Sequence, residues 1–381
     1  VSFKLQASSF KPAWAFLALI LLQNQDAELD AAIKADRARI AARKPLTKEE
    51  IKSYRAVGAR ITADRHRFRL KTIPLSFTDV AASRADLPKA LLEPLSAYYK
   101  AQSAGVFQLE PALLESRATG GPRSELAAVA PGSAAELKII ARVLRAEDLG
   151  DADGFLLVAA GEIGSPKTGL WPHASTIRLG GRDIDYVLLP ERGDHRWFGI
   201  AAHEAGHLLK LEDKYGDREA KVGRWCLMGT GYLDSTKEDP RPGPLCAVCR
   251  EGLGWAAPLV HDPASEGAYS LPAGAAAVKV PVNKDGKEAV VLEARGKSLL
   301  VWHTGGGRPI ELAAILPTES RDRLTPWSDP PFRTRTLGAT DVWITDARIQ
   351  EGRAWFRLSP TADLTPLEAL RRARVGKELG R

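Results

Sequence analysis

The sequence is poor in sulfur, with three cysteines and one methionine in 381 residues. Three cysteines are too few, and too odd a number, for a fold stapled together by disulfides. Methionine is the adaptable filler of irregular cores, yet this chain uses it only at Met228, which makes the surroundings of that residue worth reading closely. Long apolar runs are also missing. A helix needs roughly 20 apolar residues to cross a bilayer, and the run Ala13 to Leu22 stops well short of that at Gln23. Internal repeats are absent, which excludes solenoids. Gly305-Gly306-Gly307 lies between β-type stretches rather than ahead of a helix, so it reads as a turn and not as a phosphate-binding loop.

The net charge is +7 and the pI is about 9.2, a balance that invites a nucleic-acid partner. The basic excess sits in residues 33–70 and 365–381, however, and leaves the body of the chain slightly acidic. No nucleic-acid partner is expected. With 44% hydrophobic and 27% charged residues the composition is that of a globular protein, and the length suits two ordinary domains.

Lys4 and Lys11 precede the Ala13–Leu22 run, so 1–25 reads as a signal-peptide-like segment. A secreted or periplasmic location is expected, with an uncleaved membrane anchor as the alternative. Residues 26–66 are Ala-rich and helical, with Thr47 and Glu50 forming a capping box, and read as a helical prosegment that shields a cleft. From 67 to 258 strands and helices alternate. Ile73, Leu75 and Phe77 mark a strand, Pro88 opens a helix, Ser133 and Glu136 cap another, and Phe155–Ala160 and Ile184–Leu189 are buried strands. A helix then runs from Arg196 to Leu209. This is an α/β (α+β) domain. After Pro258 the texture changes to short strands around Val278–Val282, Ala289–Leu292, Leu299–Trp302 and Val342–Ile344, a small all-β domain over 259–360. A basic helical tail, 361–381, follows.

The chemistry concentrates in His203-Glu204-Ala205-Gly206-His207. Residues four apart share a helix face, so both imidazoles reach one metal while Glu204 sits beside its water. A catalytic zinc uses three protein ligands, polarises a carbonyl and acidifies its water, whose proton a glutamate can take. Asp213 stands ten residues after His203, and Trp225-Cys226-Leu227-Met228-Gly229-Thr230 follows it. In this order the segments resemble the H-E-x-x-H-x-x-G-x-x-H/D motif and the Met-turn of metzincin metalloproteases. The resemblance implies a metzincin-like catalytic domain with a mixed sheet and an active-site helix. It implies His203, His207 and Asp213 as zinc ligands, Glu204 as general base, and Met228 as the hydrophobic floor of the site. Lys210 stands where the family has a glycine that leaves the helix at positive φ; a distorted turn there would make Glu212 the third ligand.

The resemblance narrows further. Tyr98-Tyr99 through Leu109, the His203–Tyr215 segment, Pro244-Leu245-Cys246 through Gly254-Trp255, Val291–Arg295 and Leu299–His303 are similar to segments of immune inhibitor A-type bacterial metallopeptidases, in order over roughly 68–305. That implies a secreted zinc endopeptidase acting on protein or peptide substrates, with a prosegment and a β-rich domain after the catalytic one. Two rivals stand beside it: a catalytically silent binding protein on the same scaffold, and a narrow-specificity secreted effector or toxin peptidase.

Cys226-x-Met228 followed by Cys246-x-x-Cys249 resembles a segment of archaemetzincins, where cysteines hold a second, structural zinc. Those proteins have another cysteine directly after the third catalytic ligand, where this chain has Lys214. A disulfide from Cys226 to Cys246 or Cys249, a second zinc completed by a ligand other than cysteine, and free thiols all stand as readings. Asp213 and Asp217 leave room for a Ca2+ site. Tyr215 and Tyr232 are expected to pack, His173 and His195 to flank the cleft, and His66, His261 and His303 to lie at the surface or at strand ends.

Overall fold

The computed structural model describes residues 45–58, 67–80, 86–162, 170–215, 222–274, 276–283, 285–305, 308–316, 332–334 and 342–360. The segment 1–25, most of 26–66, the tail 361–381, His66 and Asp217 lie outside the described residues.

The first sheet has the order Gln108–Leu113, Arg67–Ser76, Gly154–Glu162, Arg182–Glu191, His173–Leu179, with Arg117–Ala118 also pairing Arg67–Ser76. It is mixed. All its pairs are parallel except the last, where His173–Leu179 runs antiparallel to Arg182–Glu191 and forms one edge. Side chains alternate across a strand, and here both faces are covered. Phe68, Leu70, Leu156, Val158, Val187 and Leu189 face a core with helices Glu93–Gln102 and Trp197–Leu208. Their odd-and-even neighbours Ile73, Leu75, Phe155, Leu157, Tyr186 and Leu188 face another with helix Ala134–Val143. A strand buried on both sides has no polar face, which is why Phe155–Ala160 reads as an unbroken apolar run.

After residue 258 two five-stranded sheets form, in the orders Arg308–Leu316, Ser298–Gly305, Ala289–Arg295, Ala277–Pro281, Leu259–Val260 and Arg55–Ala56, Gly267–Pro272, Arg353–Ser359, Val342–Gln350, Phe332–Thr334. They share a core of Val278, Val290, Leu292, Val301, Ile344 and Phe356. The opposite face of the first of them, with Val291, Leu300 and Trp302, joins the core of the α/β part. The two halves are thus packed into one body. Glu293, fully buried at their junction, accepts hydrogen bonds from Ala247 N–H (2.8 Å), Trp302 Nε1 (2.9 Å) and Arg250 (2.8 Å), and pairs with Arg295. A buried carboxylate is tolerable only when so fully satisfied.

The described part of the expected helical prosegment behaves differently from the expectation. Thr47 and Glu50 do form the capping box, over the single turn Lys48–Ile51. The chain then extends, and Arg55–Ala56 pairs in parallel with Tyr269 and Ser270 of the C-terminal β region. Leu46 and Tyr54 pack on Trp355, and Leu46 N–H donates to Gln350 at 2.7 Å. Residues 45–58 are a strand and clasp of the β-rich half.

Candidate metal centre

Helix Trp197–Leu208 is apolar on nearly every side and correspondingly buried. Trp197 Nε1 ties its start to Pro190 O at 3.1 Å, and the Tyr99 hydroxyl donates to Ala202 O at 2.5 Å. Two glycines let the loop from Gly223 to Ser235 lie directly on it. A Cβ at Gly199 would stand 2.0 Å from the Tyr232 carbonyl oxygen, and one at Gly206 would stand 2.7 Å from Met228 Sδ.

The helix ends in a Schellman turn. Lys210 N–H donates to His207 O (2.9 Å) and Leu211 N–H to Gly206 O (3.1 Å), while Lys210 has φ +66°. The position is left-handed, as its glycine-like role requires, and lysine adopts that conformation at a cost of about 1 kcal/mol. Its Nζ pairs with Asp185 on the adjoining strand. The turn carries the chain back over the helix, so that Leu211 O accepts a hydrogen bond from His207 Nδ1 at 2.8 Å.

This return brings three donors together. His203 Nε2 lies 3.0 Å and His207 Nε2 lies 3.4 Å from Asp213 Oδ1. His203 Nδ1 donates to Leu227 O at 3.0 Å. With each Nδ1–H committed to a backbone carbonyl, each Nε2 presents its lone pair to the common point. The group can hold a metal ion. Glu212, the alternative ligand, turns outward with its side chain 88% exposed and pairs with Lys214 at 3.8 Å. Partial burial opposes the charge on Asp213, but the two imidazoles hold its carboxyl far below the usual range. Burial likewise opposes charge on His207, and Asp213 with the Leu211 carbonyl raises it.

Glu204 lies beside this group on the cleft side. Burial pushes its carboxyl up, and His203, His207 and His173 pull it part of the way back. The cleft, about 510 Å3, is lined by Glu204, His207, Asp213, Tyr215, His173 and Trp171 among others. Beneath the helix, Met228 is fully buried, and its carbonyl accepts from Lys214 N–H at 2.7 Å. The rings of Tyr215 and Tyr232 pack on His203, with centroids 5.8 Å and 4.8 Å away.

The cysteines form a second cluster. Cys226, Cys246 and Cys249 are buried free thiols with their sulfurs close enough to share a metal. Cys226 Sγ lies 3.7 Å from Cys249 Sγ, well beyond the roughly 2.05 Å of an S–S bond, so the expected disulfide is not formed. Burial opposes ionisation of Cys226, yet the two neighbouring thiols and the N–H groups of Cys246 and Met228 turn toward it and hold it well below the ordinary thiol range.

His261 stands at a strand end, directly after Leu259–Val260, but buried, with its Nδ1 2.8 Å from the Tyr269 hydroxyl. Glu136 departs from the capping box that its spacing predicts. Ser133 Oγ does accept Glu136 N–H (3.3 Å), but one carboxylate oxygen bonds Gly132 N–H (2.8 Å). The other meets the Tyr186 hydroxyl (2.6 Å) and His173 Nε2 (2.9 Å). A glutamate at the third helical position looks the same in sequence whether it caps or reaches inward, so no local signal separates the two.

No family model matches the chain, and no curated protein matches it.

Proposed function

We propose that the protein is a zinc-dependent endopeptidase of metzincin type, cleaving protein or peptide substrates in the cleft beside helix Trp197–Leu208. The observation that carries this reading is the convergence of His203 Nε2, His207 Nε2 and Asp213 Oδ1 beside a buried glutamate. Zinc bonds to nitrogen and oxygen are about 2.0–2.1 Å long, which makes the edge of the ligand tetrahedron about 3.3 Å. The separations of 3.0 Å and 3.4 Å bracket that edge. Two imidazoles and one carboxylate are also a donor set that suits zinc.

When bound there, zinc supplies Lewis acidity to the scissile carbonyl and lowers the pKa of water. The protein's own residues do the rest. Glu204 takes a proton from the attacking water and returns it to the departing amine nitrogen. Burial favours its neutral form, and so helps the proton-return half of that cycle. The strand His173–Leu179 ends the sheet order and borders the cleft. The edge that it leaves unpaired among the described residues can take an extended peptide as one more strand. Met228 gives the metal-binding helix an apolar support.

The three cysteines supply the soft donors of a second, structural zinc. Zinc–sulfur bonds of about 2.3 Å make a tetrahedral edge near 3.8 Å, and the Cys226–Cys249 separation is 3.7 Å.

Zinc content and casein cleavage, compared between the wild type and Glu204→Ala, test the peptidase reading. The variant should keep its zinc and lose activity by about 10²–10⁴-fold. Two zinc-loaded and equally inert proteins would leave the silent binding scaffold as the reading.

A further inference from the structure

The cleft wall holds a charged network that the chemistry above does not use. Glu136 is 1% exposed, and a carboxylate so deeply placed needs a cation as well as hydrogen bonds. Tyr186 and Gly132 supply neutral donors, and the cation is His173 at 2.9 Å. The other ring nitrogen of His173, Nδ1, lies 2.9 Å from the Trp171 carbonyl oxygen. A ring that faces an acceptor at both nitrogens is placed to carry a proton on both, and this geometry favours the imidazolium form of His173.

Its two N–H groups are not equivalent. Nε2–H points inward to the buried carboxylate and cannot leave it without exposing an unpaired charge. Nδ1–H faces a carbonyl at the open side of the cleft, a partner that water can replace when the bond is exchanged. His173 is the first residue of the edge strand, and it lines the same cleft as Glu204 and Asp213. The charged and titratable groups facing it are Glu136 from helix Ala134–Val143, Tyr186 from strand Arg182–Glu191, and Glu204 from helix Trp197–Leu208. Asp185 and Lys210, also at the cleft, neutralise each other.

We propose that His173 is a further catalytic residue, whose Nδ1–H donates to the scissile carbonyl oxygen as negative charge develops there, and that Glu136 is its positioning residue. This rests on the peptidase reading. In the reaction a C–O bond forms from water and the C–N bond breaks. The proton taken by Glu204 leaves on the amine nitrogen, and His173 keeps both of its own. A cation held in place beside developing negative charge is among the strongest ways to lower a barrier.

Burial opposes the charged ring, but Glu136 and the Trp171 carbonyl hold the His173 pKa above its ordinary value. Loss of the second proton should therefore mark the alkaline limb of kcat. The test uses the full-length, zinc-loaded protein as wild type, His173→Gln, Glu136→Gln and Tyr186→Phe. His173→Gln should lose about 10²–10³-fold in kcat, with KM within about threefold and zinc content unchanged. Glu136→Gln should move the alkaline limb to lower pH. Independently of activity, ¹⁵N-histidine spectra of zinc-free protein should show His173 doubly protonated at a pH where an ordinary histidine, with a pKa of about 6.5, is neutral. An unchanged kcat in His173→Gln, or a neutral ring in those spectra, overturns the proposal and leaves the peptidase standing. If His173→Gln does not fold, an alkaline limb unmoved in both Glu136→Gln and Tyr186→Phe overturns it. A zinc-loaded wild type without activity removes the peptidase reading and this one with it.

Discussion

Two clusters of side chains that could hold a metal ion meet at the tripeptide Cys226-Leu227-Met228, and their surroundings are opposite in kind. Cys226 belongs to the thiol cluster, the Leu227 carbonyl orients His203, and the Met228 sulfur rests against Gly206. The thiol group is sealed in the core, whereas Asp213 is 42% exposed and opens on the cleft. Soft donors shut away from water suit a structural ion; nitrogen and carboxylate donors with an open side suit a reactive one. The difference shows how one loop can brace a site without taking part in its chemistry.

That contrast can be broken most severely by metal removal. Protein prepared with zinc should carry two equivalents, and a chelator should strip the cleft ion first, abolishing activity while the fold persists. Cys246→Ser should act the other way, lowering Tm by roughly 5–10 °C through a loss of about 2–3 kcal/mol. Metal analysis with calorimetry checks both, and equal Tm losses from the two treatments would erase the distinction. A smaller effect is expected where the loop meets the helix. Gly206→Ala places a Cβ 2.7 Å from Met228 Sδ, and the displaced methionine should shift His207 enough to cost about tenfold in kcat/KM, since ångström-scale misplacement costs up to 10²-fold. Steady-state kinetics at fixed zinc would show it. The smallest change is Lys210→Gly, which relieves the left-handed residue. It should add about 1 kcal/mol, raise Tm by about 2–4 °C, and leave kcat/KM within twofold, because the Lys210 side of its pair with Asp185 is largely exposed and the pair contributes little.

Much of the fold was legible because its signals are local. The period-two strand through Ile73 and Leu75, the unbroken apolar strand at 155–160, the Ser133 helix start and the helix through His203 all stand where their patterns put them. The positive φ at Lys210 followed from the place of a missing glycine, even though the residue itself argued against it. The state of the three thiols was not legible because spacing alone does not distinguish a disulfide from free thiols or from a shared metal. Residues 45–58 carry a true capping box, yet that box says nothing about the sheet the chain joins next.

What the sequence determined by itself was a set of donors and their order: two histidines on one helix face, a glutamate between them, an aspartate after a turn, and a lone methionine beyond. Those features depend on helical periodicity and short spacing, which any local window contains. Only the tertiary structure decided that Asp213 rather than Glu212 closes the group, that Glu136 leaves its helix cap for His173, and that Glu293 locks the β-rich half against the other. Each of those contacts joins elements whose proximity depends on strand order and on which face is buried, or on the path of a turn, and no run of neighbouring residues encodes that.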